Sequence, residues 1–343
     1  MTGSDRRAVA AWLLGCAALT FAMVVVGGIT RLTESGLSIV EWQPLAGALP
    51  PLSQADWEAL FAQYRATPQF GKVFPDMGLE GFKNIFWWEY AHRLLGRTIG
   101  LVFLLPYLWF LFRKQLSRPL ALKLAGIFVL GALQGAMGWY MVQSGLVDNP
   151  RVSHFRLAAH LGMALLIFSA EFWLALDLLR REQNSRTKTL PVLAAILVFL
   201  MALSGGFVAG LRAGHAYNTF PLMSGHLVPP EAFMLEPWWR NFFWNVATVQ
   251  LAHRAIFWLL LIVIPIVWWQ ARPTPARIAG GHLMAMFVLQ ATLGISTLLL
   301  AVPVPLAAAH QAGAVLLLAC ALWTAHATST STPSTANIAA AMR

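Results

Sequence analysis

Two short runs carry the groups best suited to chemistry. Glu89-Tyr90-Ala91-His92-Arg93 and, 161 residues later, Gln250-Leu251-Ala252-His253-Arg254 each set an imidazole beside a guanidinium where a long apolar stretch opens. A carboxylate three residues before an imidazole shares its helix face, about one turn away. Glu89 can accept a proton or stabilise positive charge developing at a reacting carbon. Gln250 has a similar shape but exchanges no proton at ordinary pH. The difference points to a reacting site in the first half of the chain and a fixed group in the second.

Two further histidines pair with these. Leu157-Ala158-Ala159-His160 matches Ala307-Ala308-Ala309-His310, and each half then holds one histidine on its second long segment and one on its fourth. Two imidazoles facing across a helical bundle can grip a haem iron from both sides. Zinc is a poorer fit, because no third and fourth ligands of suitable type lie close in sequence. Arg93, Arg97 and Arg254 are placed to pair with haem propionates or to reach lipid phosphates; Arg156, Arg212 and Arg240 are weaker candidates of that kind. The remaining histidines (His154, His215, His226, His282 and His326) read as surface residues. Glu171 has no assigned chemistry.

The elements that must hold these groups are membrane spans. Of 343 residues 58% are apolar and only 11% charged, against about 25% charged in ordinary soluble domains. Eight runs are long enough to cross ~30 Å of hydrocarbon: roughly 8–29, 90–112, 120–143, 156–179, 190–211, 248–270, 278–301 and 305–327. The net charge of +10 resides in short connections (Arg6 and Arg7; Arg113, Lys114, Arg118 and Lys123; Arg180, Arg181, Arg186 and Lys188; Arg272 and Arg277). That pattern places both termini in the cytoplasm and the four histidines near the outer leaflet. It leaves no basic face for nucleic acid. Cys16 and Cys320 lie within apolar segments and suggest no disulfide or metal site. Within the first long loop, Ser53-Gln54-Ala55-Asp56 starts a helix whose Trp57, Leu60, Phe61 and Tyr64 form one apolar face, expected to lie on the membrane surface.

The chain is an internal duplication. Gly27-Gly28 matches Gly205-Gly206, Leu133-Gln134 matches Leu289-Gln290, and Asn84 and Asn245 each precede a key histidine by eight residues. The offsets run 178, 161, 156 and 150, shrinking as the loops of the second half shorten. An even number of spans per repeat gives both halves one orientation, with a pseudo-twofold axis along the membrane normal. The expected fold is an all-α polytopic membrane protein of eight transmembrane helices, arranged as two pseudo-twofold-related four-helix bundles. Residues 1–183 form the first bundle and 184–327 the second. A tail over 328–343, rich in Ser, Thr and Ala, is expected to be disordered.

Together, Gly27-Gly28-Ile29-Thr30-Arg31-Leu32-Thr33, Ser35-Gly36-Leu37-Ser38, Glu89-Tyr90-Ala91-His92-Arg93 and the later histidine pair resemble the haem A synthase family, across all eight spans. The resemblance implies an inner-membrane oxidoreductase that converts the C8 methyl of haem O, through a hydroxymethyl stage, to the formyl of haem A for cytochrome c oxidase. It further implies that His92 and His160 flank substrate haem O, that His253 and His310 ligate a resident haem b, and that Glu89 is the required acid. Some family members carry a cysteine pair in an outer loop; this chain has none and resembles the cysteine-free branch. Haem O synthase is the implied upstream partner. The electron donor and a homo-oligomeric state stay open. The competing expectation is a di-haem cytochrome b electron-transfer subunit of a quinol-linked complex, which would tolerate Glu89→Gln.

Overall fold

A computed structural model describes residues 1–43, 46–146, 150, 152–180, 185–186 and 188–331. In chain order the helices are α1 (Gly3–Leu32), α2 (Gln54–Arg65), α3 (Pro68–Val73), α4 (Leu79–Phe112), α5 (Arg118–Gly145), α6 (His154–Leu179), α7 (Thr189–Gly210), α8 (Asn241–Trp244), α9 (Val246–Ala271), α10 (Arg277–Leu299) and α11 (Val304–Ala327). Eight of them, all but α2, α3 and α8, are long and apolar enough to cross a membrane. The chain is an integral membrane protein. Over the spans, the sequence boundaries agree to within a few residues, except at α4.

α4 begins at Leu79, so Glu89 and His92 stand about three turns inside a helix rather than at its mouth. The added turns keep a buried stripe of Phe82, Ile85, Phe86 and Tyr90. What covers that stripe is α2. Ser53 and Asp56 form its capping box, and the Ser53 hydroxyl and amide hold the Asp56 carboxyl below its ordinary range. Trp57, Leu60, Phe61 and Tyr64 then pack on Phe82 and Phe86, with Trp57 and Phe86 ring centroids 4.9 Å apart. The apolar face expected to lie on lipid is therefore satisfied within the protein. In the second half the matching region breaks instead: Asn245 caps α9 by accepting from the Ala247 and Thr248 amides, whereas Asn84 is an exposed residue inside α4.

α1 packs against α4 and α6, and α5 against α4 and α6; likewise α7 packs against α9 and α11, and α10 against α9 and α11. Contacts of α6 with α7, α1 with α11 and α6 with α11 join the two sets. One apolar core, including Val24, Leu165, Phe168, Leu260, Ile264, Leu283 and Leu318, runs through the junction. Lipid tails are as apolar as leucine, so close packing and interhelical hydrogen bonds hold such helices together.

Polar contacts tie the junction at both ends. At the histidine end, Arg31 donates to the Ala209 carbonyl and Arg212 pairs with Glu34. In each case the partners stand 178 residues apart, the offset of the repeat itself. At the opposite end His326 and Asp177 meet at 2.9 Å, and Arg180 donates to the His326 carbonyl at 3.0 Å. His326 is thus buried and partnered, not a surface residue. The start of the tail departs from expectation too: Thr328 and Ser329 are buried, and β2 (Thr330–Ser331) pairs antiparallel with β1 (Ser185–Arg186). The rest of the expected disordered tail, 332–343, lies outside the described residues.

Candidate functional site

Each of the four histidines rests on a glycine of a neighbouring helix. A Cβ added at Gly27 of α1 would lie 2.9 Å from His92 Nε2, and one at Gly138 of α5 would lie 3.3 Å from His160 Cε1. The second half repeats the arrangement: Gly205 of α7 faces His253 Cε1 at 3.5 Å, and Gly294 of α10 faces His310 Cε1 at 2.7 Å. His92 and His160 lie within electrostatic reach of each other, as do His253 and His310. Adjacent residues on a helix point about 100° apart, which explains the glycine pairs. Gly27 and Gly205 face the histidine of their own half; Gly28 faces Gln311, and Gly206 faces Ala158 and Leu161, across the junction.

Interhelical hydrogen bonds set the height of the second histidine in each half. Gln134 Nε2 donates to the His160 carbonyl at 3.0 Å, and Gln290 Nε2 to the His310 carbonyl at 2.9 Å. The rings are oriented less equally. Ser204 Oγ meets His253 Nδ1 at 2.8 Å, which leaves Nε2 of His253 to act as a ligand. The Nδ1 atoms of His160 and His310 are buried with no hydrogen-bond partner. Unsatisfied imidazoles on glycine-lined surfaces, with only nitrogen donors, suit the axial positions of an iron macrocycle. The residues therefore fit a haem in each half.

Glu89 is 3% exposed and bound entirely by donors. Oε2 accepts from Ser38 Oγ at 2.7 Å and from the Ile39 amide at 2.8 Å, while Oε1 pairs with Arg93 at 2.6 Å. Gln250, equally buried, occupies the matching place with one end reversed: Oε1 keeps a long contact from Arg254 at 3.5 Å, but Nε2 donates to the Ala213 carbonyl at 3.1 Å and towards the Tyr217 carbonyl at 3.4 Å. The first loop thus offers donors to a carboxylate, and the second offers acceptors to an amide.

The arginines are engaged with the loops. Arg93 donates to the Ile39 and Glu41 carbonyls at 2.7 and 3.0 Å, and Arg97 to the Gln43 carbonyl at 2.8 Å. Arg254 is buried against the carbonyls of Tyr217, Thr219, Pro221 and Leu222 at 2.9–3.3 Å. These three side chains clip the loops over 33–43 and 217–222 to α4 and α9. Glu171, 1% exposed, accepts from Thr20 at 3.0 Å, and the second half has apolar Val198 and Ala321 at the matching positions.

Sequence reasoning assigned no individual role to Ser204, Gly138 and Gly294, and none to Ser38 beyond its place in the family-like motif. The two glycines were detectable, because they are 156 residues apart, the offset of Gln134 and Gln290. Ser204 carries no comparable signal. A methyl group at Gly294 must push the His310 ring aside. Gly294→Ala is therefore expected to shift the optical spectrum of a haem held by His310 and to lower stability by about 1–3 kcal/mol. Visible absorbance and thermal unfolding of the purified variant read both effects.

A family model described as "Cytochrome oxidase assembly protein" matches residues 10–322. The chain is 62% identical to a protein named "Heme A synthase" from Nitrosospira multiformis, over 94% of this chain and 93% of that one. It is 55% identical to the "Heme A synthase" of Nitrosomonas eutropha, over 92% of each. Against the protein of the same name from Parvibaculum lavamentivorans the identity is 49%, over 95% of each.

Proposed function

The chain belongs to the haem A synthase family of cytochrome oxidase assembly proteins, and from that membership we propose how its two halves divide the work. It is an oxidoreductase of haem A biosynthesis, acting on haem O. The cytochrome b alternative is not retained, because relatives aligned over more than nine-tenths of the chain carry the synthase name. The residue 1–183 half takes substrate haem O between His92 and His160. The 184–327 half holds a resident haem b between His253 and His310, with Ser204 fixing the His253 ring. The observation that carries this division is the reversal of polarity at one end of the side chain between Glu89 and Gln250, at equivalent, equally buried places.

Oxidising a methyl group to a formyl group removes four electrons in two steps. A haem b in the second half supplies one-electron redox chemistry, as bound haem does generally. The chain's own contribution is positional. Glycine-backed imidazoles fix the plane of the substrate, and the loop over 33–43, fastened to α4 by Arg93 and Arg97, closes over it and excludes water. Glu89 presents a fixed acceptor near the reacting edge, where it stabilises positive charge and takes up a proton, held in place by the Ser38 hydroxyl. The protein sits in the bacterial inner membrane with both termini cytoplasmic, and haem O reaches it from haem O synthase.

Pigment extraction tests this reading. Membranes of a strain lacking the chain are expected to contain haem O and no haem A, with haem A restored on complementation. Haem A persisting in the deletion strain would overturn it.

A further inference from the structure

Arg93 and Arg97 hold loop carbonyls, which raises the question of what meets the carboxylates of a macrocycle seated at His160. Arg156 lies four residues before His160 on α6, hence on the same face and one turn nearer the histidine end. Its guanidinium stacks on Tyr140 of α5, 4.6 Å from the ring centroid. Its one hydrogen bond among the described residues is a long contact of 3.5 Å from Nη2 to the Tyr140 hydroxyl. Tyr140 lies on the face of α5 away from Gly138, the glycine under the His160 ring, so the placement of the pair near His160 comes from Arg156. Arginine and tyrosine therefore form a half-exposed pair one helical turn from His160, with most guanidinium protons directed at no carbonyl or carboxylate of the described chain.

The second half has no such pair. At the positions matching Arg156 and Tyr140, by offsets of 150 and 156, stand Leu306 and Ser296. A stacked, planar guanidinium with unused donors is well suited to a carboxylate, which it can bind through two parallel hydrogen bonds.

We propose that Arg156, held flat on Tyr140, is the carboxylate-binding residue of the first half and recognises a propionate of the haem substrate there. The proposal rests on the assignment of His160 to the substrate side and extends it. It gives the first site a recognition element that the resident site lacks. An incoming macrocycle with free acid groups is thereby selected and oriented.

The test is an optical titration of the full-length purified protein with haem O and with its dimethyl ester. Wild-type protein is expected to bind the free acid more tightly than the ester. Arg156→Gln should lower affinity for the acid on the order of 10- to 100-fold and leave the ester unaffected, since only a charge-assisted bond is lost. Arg156→Lys, which keeps the charge without the fork, should fall between the two, and Tyr140→Leu should weaken acid binding less than Arg156→Gln. Haem b content of each variant, measured by pyridine haemochrome, is expected to equal that of wild type and reports correct folding. Unchanged acid affinity in Arg156→Gln, or an equal loss for acid and ester, would overturn the proposal. Haem O binding that survives His160→Ala would instead remove the site assignment beneath it, so the two failures are distinguishable.

Discussion

Glu89→Gln is expected to stop haem A formation while leaving the resident haem in place. Three donors converge on the carboxylate, from Ser38, Ile39 and Arg93. An amide in its place retains one acceptor oxygen and turns an N–H2 group towards donors that it cannot satisfy. In the proposed mechanism this removes the negative charge set beside the substrate and the group that takes up a proton. General acid–base and electrostatic contributions of this kind are worth about 10²- to 10⁴-fold in rate. Pigment extracts of cells carrying only the variant should show haem O in place of haem A, with haem b in the purified protein at the wild-type level. Formation of haem A within tenfold of wild type would remove Glu89 from the mechanism. The reverse exchange is informative as well. Gln250→Glu would aim a carboxylate at the Ala213 and Tyr217 carbonyls, at a cost of about 1–3 kcal/mol, seen as earlier thermal unfolding without any new activity.

The second large effect is expected at His253. His253→Ala removes the one imidazole of the four whose Nδ1 is fixed by a hydroxyl and should reduce bound haem b by at least about an order of magnitude, because an axial ligand is lost outright. Ser204→Ala keeps the ligand and loses only its orientation, a change that typically weakens metal-site affinity about 10- to 100-fold. His92→Ala should do the opposite of His253→Ala, preserving haem b and abolishing retention of haem O. Haem stoichiometry by pyridine haemochrome, with haem O and haem b separated chromatographically, distinguishes these outcomes. Equal loss of both pigments in either histidine variant would contradict the division of the halves.

Much of this was legible in the sequence for physical reasons. Hydrocarbon thickness sets the length of an apolar run, so the eight spans declared themselves. The histidines stood out because an ionisable group among such runs is rare. The Glu89 and Gln250 contrast could be read because two copies of one motif supply their own control. Contacts made by loops were not legible, since no periodicity marks them. Nothing in Ser38 or Ile39 announces that they reach 50 residues along the chain to Glu89. Nor does the apolar face of α2 reveal that it covers Phe82 and Phe86 rather than lipid. The early start of α4 was hidden for a related reason. Its first three turns mix charged and apolar residues, and a hydropathy window reads such turns as loop.

The ion pair between Glu34 and Arg212 carries a record of how the chain arose. In a symmetric dimer of identical halves, a residue that meets its own equivalent on the twofold axis meets a copy of itself, and charge there would repel. Glu34 and Arg212 occupy matching places 178 residues apart and still touch as opposites. Such a pair can arise only once the two copies are encoded separately and mutate independently. The attraction between Glu34 and Arg212 is thus a product of divergence between the two copies, one that identical copies could not make.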